Sequence, residues 1–263
     1  MFTIKTVGVL LRDNRQNYPL DQLKDVFGRI GATIHILNHG KIPEKLDLVI
    51  AMGGDGTVLQ ALDLMPGCPV LAINFGTVGF LTAGDRTDLE RVLERLLAGD
   101  FRISERILLK CQYGGGVIHA VNEVIIRSSV HMIQVEVYVD DTRIRTIRGD
   151  GVIMGTPTGS TGYLLSTGAP LVMPEMDCFI LDGINEYNFT SRALIVAPDS
   201  SVRLHIQTLL ENQEAHLMVD GKMIVGLKEG EDLILTRSER RAQLIFFEEN
   251  YFFHNLSSRL SWN

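Results

Sequence analysis

The residues with the clearest chemical potential form the motif GGDGT at positions 53–57, between a strand-like apolar run (46–52) and a helical pattern (57–65). Glycines permit positive φ angles and close backbone approach, and a helix start offers unpaired N–H groups, so this turn suits phosphate groups. Asp55 is unexpected there, because a carboxylate repels phosphate. It indicates a catalytic base or a metal ligand, and the alternative is a tight turn in which the aspartate caps the helix.

A second glycine-rich turn, NFGTVGFLT at positions 74–82, overlaps the end of the next strand-like run, 70–75. Ligands of open α/β sheets bind at the carboxyl ends of the strands. The turn is therefore a second candidate ligand loop, although an ordinary surface loop explains the pattern equally well.

Two polar stretches stand out further along the chain. The block GDGVIMGTPTGSTGYLLSTGAP at positions 149–170 holds six glycines, two prolines and six serines or threonines. That density of turn formers and hydroxyls predicts a ligand-wrapping loop. Upstream, Asn122 and Glu123 interrupt an apolar run. Their side chains suit ribose hydroxyls or an adenine amino group, and a strand end or bulge is the alternative.

The pattern of elements predicts two domains that carry these motifs. Strand and helix signals alternate over residues 1–100, which favours a Rossmann-like α/β domain with a parallel sheet. Strand-like runs then follow one another over residues 101–244 and predict an all-β, sandwich-like domain. Residues from about 245 to 263 end in an amphipathic helix, which we expect to join the first domain.

Composition narrows the classes of function. The formal net charge of −7 argues against nonspecific nucleic-acid binding. Three widely spaced cysteines and the histidine spacing favour neither disulfides nor an intrinsic metal site, and fit a reducing compartment. No apolar run approaches the roughly 18 residues of a membrane span. We therefore expect a cytoplasmic protein without a membrane partner.

These motifs resemble those of known kinases. GGDGT resembles the signature shared by NAD kinases with diacylglycerol and sphingosine kinases. The turn at 74–82, the Asn122-Glu123 pair and the block at 149–170 resemble NAD kinase motifs in the same order. The block departs from the family pattern at Gly162, where alanine is usual, and at 167–169. The loop at 185–193 lacks the family's Pro-His, and Lys222 replaces a glutamine in a segment that also fits a hairpin turn.

The resemblance implies an NAD kinase that uses ATP or another phosphoryl donor, with Mg²⁺ brought by the nucleotide, to phosphorylate the 2′-hydroxyl of the adenosine ribose of NAD. It implies Asp55 as the base and a homodimer or homotetramer assembled through the β-rich domain. The phosphate loop would comprise Gly53, Gly54, Gly56 and Thr57. The substrate-binding residues would be Gly56, Asn122, Glu123, Arg148, Asp150, Thr158, Thr161, Gly162, Tyr163, Leu164, Leu165, Ser166, Asn185 and Lys222.

Two other functions remain open from the sequence. A lipid kinase of the diacylglycerol kinase type shares the GGDGT turn, but its headgroup pocket has no need of the block at 149–170. A nonenzymatic nucleotide sensor would keep the pocket, but pure binding gains little from Asp55 beside phosphate. The residues do not decide the donor, the acceptance of NADH or the size of the oligomer.

Overall fold

The computed structural model describes residues 3–12, 18–38, 42–76, 79–188, 190–208 and 213–260. Its contacts divide the chain into two compact units. The first unit comprises residues 1–105 and 242–263, and the second comprises residues 106–241. The chain therefore leaves the first unit once and returns to it near its end.

The first unit is built from alternating strands and helices. In chain order these are β1 (Thr6–Leu11), α1 (Leu20–Arg29), β2 (Thr33–Ile36), β3 (Leu48–Gly53), α2 (Asp55–Leu64), β4 (Val70–Asn74), β5 (Gly84–Asp85) and α3 (Leu89–Ala98). The strands pair in parallel in the order β2-β1-β3-β4-β5. Strands β3 and β4 are buried along their whole length, which explains their continuous apolar sequences.

The second unit is built mainly from a succession of strands. They are β6 (Arg102–Tyr113), β7 (Gly116–Ala120), β8 (Glu123–Ser128), β9 (Ile133–Val139), β10 (Thr142–Gly149), β11 (Gly151–Gly155), β12 (Phe179–Ile184), β13 (Leu194–Val196), β14 (Val202–Thr208), β15 (Ala215–Val219), β16 (Lys222–Leu227) and β17 (Asp232–Phe246). One short helix, α4 (Tyr163–Thr167), follows a 3₁₀ turn at Thr158–Thr161.

These strands form two antiparallel layers over one core. One sheet has the order β13-β12-β11-β8-β15-β16, and the other contains β10-β9-β14-β17. Alternate residues from both sheets meet in a single buried cluster, for example Val124 and Phe179 from the first with Val135 and Leu204 from the second. The expectation of a parallel α/β domain and a sandwich-like β domain is confirmed.

The chain returns to the first unit through the end of β17, where Leu244 pairs with Val70 of β4 in parallel. Helix α5 (Tyr251–Leu260) follows and buries Tyr251, Phe252 and Leu256. The ring of Tyr251 stacks on Phe246, with the centroids 3.6 Å apart. No helix in the described part of the chain is long and apolar enough to cross a membrane.

Several predicted boundaries were wrong in ways that matter for the site. Helix α2 begins at Asp55 rather than at residue 57, so the aspartate is its first residue and Gly54 precedes it. The apolar run that Asn122 and Glu123 interrupt belongs to two strands, β7 and β8, which are separated by Val121 and Asn122. Strands β11, β12 and β16 were not predicted, and β11 is a fully buried strand inside the block at 149–170 that was predicted to be a loop.

Candidate active site

In the first unit, Asp55 joins the two glycine turns. Its Oδ2 accepts a hydrogen bond from the Phe80 N–H (2.9 Å), and its Oδ1 accepts one from the Leu81 N–H (3.0 Å). A β-carbon at Gly79 would lie 1.8 Å from Asp55 Oδ1, so only glycine permits this contact. The aspartate thus holds the second turn against the start of α2, a role that the sequence did not suggest.

The second turn is also fixed from within. The buried side chain of Asn74, at the end of β4, accepts a hydrogen bond from the Gly76 N–H and donates to the Gly76 carbonyl. The same Asn74 amide donates to Asp85 Oδ1 at 2.9 Å. The neighbouring positions 77 and 78 of the predicted loop lie outside the described residues.

Open space faces the beginning of α2. A β-carbon at Gly54 or at Gly56 would meet no atom within 4 Å. The first turn of a helix leaves backbone N–H groups without intrahelical partners and carries a positive partial charge. Gly54 and Gly56 therefore leave room for an anion to approach these groups, whereas Thr57 is buried behind Gly53.

Two arginines that the sequence reasoning missed lie beside this arrangement. Arg12 follows β1, and its Nη1 is 3.2 Å from where a β-carbon of Gly76 would be. Arg259, on α5, is close enough to Asp55 and Asp85 that their charges favour its protonated form, although burial lowers its pKa. One turn earlier on α5, Asn255 donates to the Phe80 carbonyl (3.4 Å). Arg12 could have been found from its position at a strand end.

In the second unit, Asn122 lies in the break between β7 and β8, and Glu123 is the first residue of β8. The backbone N–H groups of Val121, Asn122 and Glu123 all donate to the carboxylate of Asp220, at 2.8, 2.8 and 3.1 Å. Within the described ranges, Asn122 Oδ1 and Glu123 Oε2 are buried and lack hydrogen-bond partners. Such atoms are costly to bury unless a ligand or water satisfies them.

The environment of Glu123 keeps its carboxyl group protonated up to near neutral pH. Burial, together with the negative charge of Asp220, raises the pKa of Glu123 to about 7, and a hydrogen bond from the Tyr163 backbone opposes the shift. A β-carbon at Gly162 would be 3.4 Å from Glu123 Oε2 and 3.6 Å from Asn122 Nδ2. Gly162 thus borders both of these side chains.

Most hydroxyls of the block at 149–170 bond to the chain itself. Thr156 donates to the Val121 carbonyl (2.6 Å), and Ser160 donates to the Pro157 carbonyl (2.7 Å). Thr161 donates to the Thr158 carbonyl, and Ser166 to that of Tyr163. The density of hydroxyls that we attributed to ligand contacts therefore serves first to hold the loop in shape.

The structure brings some of the predicted binding residues together and separates others. A cavity of about 460 Å³ is lined by Tyr163, Ser166 and Asn185, and Asn185 donates to Asp150 Oδ2 (2.8 Å). Leu164, in contrast, is fully buried in the core beside Ile153. The remaining positions differ in exposure: Thr158 is buried, Thr161 is half-buried, and Arg148, Leu165 and Lys222 are exposed.

None of the described residues forms a cluster of three or more histidine, cysteine or acidic side chains that could hold a metal ion. The three cysteines, Cys68, Cys111 and Cys178, are buried and free.

A parallel α/β unit with an aspartate between two glycine turns, combined with a β-sandwich unit, defines a phosphotransferase of the small-molecule kinase type. Sequence profiles agree: the ATP-NAD kinase N-terminal domain matches residues 32–101, and the ATP-NAD kinase C-terminal domain matches residues 121–247. The chain belongs to the ATP-NAD kinase family.

Individual relatives support this assignment. The chain is 34% identical over 230 residues to the NAD kinase of Geotalea daltonii, covering 84% of this chain and 80% of that protein. It is 34% identical over 245 residues to the NAD kinase of Caldanaerobacter subterraneus, covering 90% and 86%.

Solved structures share the fold. An NAD kinase from Archaeoglobus fulgidus in complex with ATP superposes with a TM-score of 0.82 at 26% identity, over 98% of this chain and 100% of that one. Yeast NADH kinase complexed with NADH gives a TM-score of 0.86 at 21% identity, over 99% of this chain and 88% of that one. The family resemblance inferred from the motifs is confirmed.

The raised pKa of Glu123 predicts a pH-dependent stability. The unfolded chain ionises this group near pH 4.5, but the folded protein holds the proton up to about pH 7. The resulting stabilisation is complete below pH 4.5 and is lost as the pH rises to about 7. The shift corresponds to roughly 3 kcal/mol.

Urea unfolding of the wild type and of Glu123→Gln at pH 4.5 and 7.5 measures this effect. We expect the wild type to lose about 3 kcal/mol more than the variant over that interval. Glu90→Gln, at an exposed position of α3, should follow the wild type. Parallel curves for all three proteins would contradict the raised pKa.

Proposed function

We propose that this protein is an NAD kinase that transfers the terminal phosphoryl group of ATP, or of another phosphoryl donor, to the 2′-hydroxyl of the adenosine ribose of NAD. The observation that carries the proposal is the position of Asp55, which is the first residue of α2, lies between two glycine turns and has open space beside it at Gly54 and Gly56. The NAD kinases among its relatives and the ATP complex of the Archaeoglobus fulgidus enzyme support it.

The first unit, in this proposal, binds the donor. The N–H groups of Asp55 and Gly56 at the start of α2 hold phosphate oxygens, and Arg12 contributes a positive charge beside Gly76. Arg259 offsets the negative charges of Asp55 and Asp85, which would otherwise repel the donor. The nucleotide would bring Mg²⁺, which would neutralise phosphate charge, and the carboxylate of Asp85 would offer oxygens of the kind that this ion prefers.

Asp55 acts as the base. A carboxylate has about four sites that can accept hydrogen bonds, and the Phe80 and Leu81 N–H groups take two of them. The remaining sites are available to the ribose hydroxyl. As the hydroxyl oxygen attacks the terminal phosphorus, its proton passes to Asp55, and the bond to the donor's bridging oxygen breaks, which releases the diphosphate.

The second unit binds the dinucleotide. Asn122 Oδ1 and Glu123 Oε2 are buried polar atoms that a ligand's hydroxyl or amino groups would satisfy. Tyr163 and Ser166, which line the cavity near Asn185, offer an aromatic ring and a hydroxyl. The further contacts that we propose come from Arg148, Asp150, Thr158, Thr161, Gly162, Leu165 and Lys222. The burial of Leu164 limits its part to shaping the pocket.

A matrix of donors and acceptors tests the function. ATP, GTP and polyphosphate are each combined with Mg²⁺ and with NAD, NADH, NADP or diacylglycerol, and the products are separated. We expect NADP from NAD, no further phosphorylation of NADP and no product from the lipid. Folded protein that forms no NADP with any donor would refute the proposal, and binding of NAD without turnover would favour a sensor.

Asp55→Asn tests the base. Losing a general base costs roughly 10²–10⁴-fold in kcat, and donor affinity should stay near that of the wild type because a repulsive charge is removed. Asp88→Asn, at an exposed position before α3, makes the same change of charge and should have no effect. Restoration of the rate by excess Mg²⁺ would instead make Asp55 chiefly a metal ligand, and full activity would remove it from the mechanism.

We also propose that the protein is cytoplasmic and assembles as a homodimer or homotetramer through its second unit. Edge strands β13 and β16 expose apolar side chains, including Ile195 and Met223. Unpaired strand edges of this kind favour association with a second copy. Light scattering at micromolar concentration should give at least twice the chain mass of 29.3 kDa, and a monomeric mass would contradict the assembly.

A further inference from the structure

The break between β7 and β8 is held by a residue far away in the sequence. Three successive N–H groups, from Val121 to Glu123, donate to the two carboxylate oxygens of Asp220, which lies 97 to 99 positions later. Asp220 in turn donates its own N–H to the Glu123 carbonyl (3.1 Å). Hydrogen bonds to an ionised acceptor are stronger than neutral ones, so one carboxylate fixes the whole segment.

The carbonyl groups of the same segment are fixed from the other side. The Thr156 N–H donates to the Asn122 carbonyl (2.8 Å), and the Thr156 hydroxyl donates to the Val121 carbonyl (2.6 Å). Gly159 allows the close approach, since a β-carbon there would lie 2.3 Å from the Asn122 carbonyl oxygen. The backbone at Asn122 therefore has little freedom to rotate.

Fixing this backbone fixes the direction of the Asn122 and Glu123 side chains. Asn122 and Glu123 carry the unsatisfied oxygens that the proposed function assigns to the dinucleotide. We propose that Asp220 is a positioning residue for NAD binding: its carboxylate holds the strand break that presents Asn122 and Glu123 to the ligand. The inference rests on the proposed function.

Asp220 also affects the charge of the pocket. It is the charged group that faces Glu123 from the turn between β15 and β16, and Tyr163 of α4 reaches Glu123 through its backbone N–H. Burial is the main cause of the raised pKa of Glu123, and the negative charge of Asp220 is the second cause. A protonated Glu123 donates a hydrogen bond, whereas an ionised one only accepts.

The chain contains a matched control. Asp140 begins the turn between β9 and β10 as Asp220 begins the turn between β15 and β16, with φ angles of 48° and 47°. The Asp140 carboxylate likewise accepts a backbone N–H, from Ser201 (2.9 Å), and a hydroxyl, from Ser200 (2.8 Å). Its partners carry none of the proposed binding residues. The two aspartates share a structural role and differ in what they hold.

Asp220→Asn and Asp140→Asn are compared by NAD titration calorimetry and steady-state kinetics. In Asp220→Asn an amide NH₂ faces the backbone N–H groups, so we expect the Kd and KM for NAD to rise roughly tenfold, about the loss of one charge-assisted hydrogen bond. The kcat and the KM for ATP should stay within about threefold of wild type. Asp140→Asn should leave all of these constants unchanged.

Two readouts separate positioning from a merely structural role. In an Asn122→Ala, Glu123→Ala background, Asp220→Asn should add no further rise in the KM for NAD, because the side chains that it positions are gone. The midpoint at which the KM changes with pH should also move to lower pH in Asp220→Asn, since a like charge near Glu123 is lost. Asp140→Asn should not move it.

Thr156→Val provides a second route if Asp220→Asn does not fold. It removes the hydroxyl bond to the Val121 carbonyl on the opposite side of the segment, and it should also raise the KM for NAD selectively. The inference would be overturned if the KM for NAD were unchanged in both Asp220→Asn and Thr156→Val. It would also be overturned if Asp220→Asn raised that KM equally with and without the Asn122 and Glu123 side chains. A wild type that binds NAD without forming NADP would refute the kinase while leaving the calorimetric test of Asp220 intact.

Discussion

Backbone N–H groups outside the strand ladders need hydrogen-bond acceptors. In this protein several of them donate to aspartate carboxylates that are distant in the sequence. Asp47 accepts from Lys5 and Thr6 at the start of β1, Asp55 accepts from Phe80 and Leu81, and Asp220 accepts from the break before β8. A buried N–H without a partner costs about as much as a lost hydrogen bond. Removing such an aspartate therefore frees a segment of chain as well as deleting a charge. The proposed donor site and the proposed dinucleotide site each depend on one of these contacts.

The same acidic contacts create an electrostatic difficulty that the fold offsets locally. Asp55 stands beside the open start of α2, and the charge of Arg259 lies near both Asp55 and Asp85. In the second unit no such compensation is needed, because burial keeps Glu123 protonated close to neutral pH beside Asp220. The charge of Arg259 thus offsets those of Asp55 and Asp85, whereas Glu123 avoids repulsion from Asp220 by keeping its proton. Both arrangements reduce negative charge at the sites that we propose for anionic substrates, in a protein whose net charge is −7.

The sequence predicted the parts of the fold that depend on local pattern. Alternating strand and helix signals predicted the parallel sheet, and successive strand-like runs predicted the sandwich. Alternate residues of these strands, such as Val135 and Val137, are buried in its core. Contacts with distant partners could not be predicted. The sequence allowed a strand end at Asn122 as one alternative, but it did not indicate that Asp220 satisfies the backbone there, nor that Asp55 accepts from Phe80 and Leu81. Strand β12 was not predicted because Asp182 and Gly183 interrupt its apolar run. Arg259 could be assigned to the site only once α5 was placed.

The interruption of the first unit by the second has a consequence for synthesis on the ribosome. Residues 1–105 are made first, but Leu244 of β17 and all of α5 are made only after the entire second unit. Domains generally fold as units while the chain emerges. The sandwich can therefore be complete while the parallel sheet still lacks its last strand. At that stage Arg259 is also missing from the neighbourhood of Asp55 and Asp85. The order of translation ensures that the half of the protein bearing Asn122 and Glu123 exists before the half bearing Asp55 is finished.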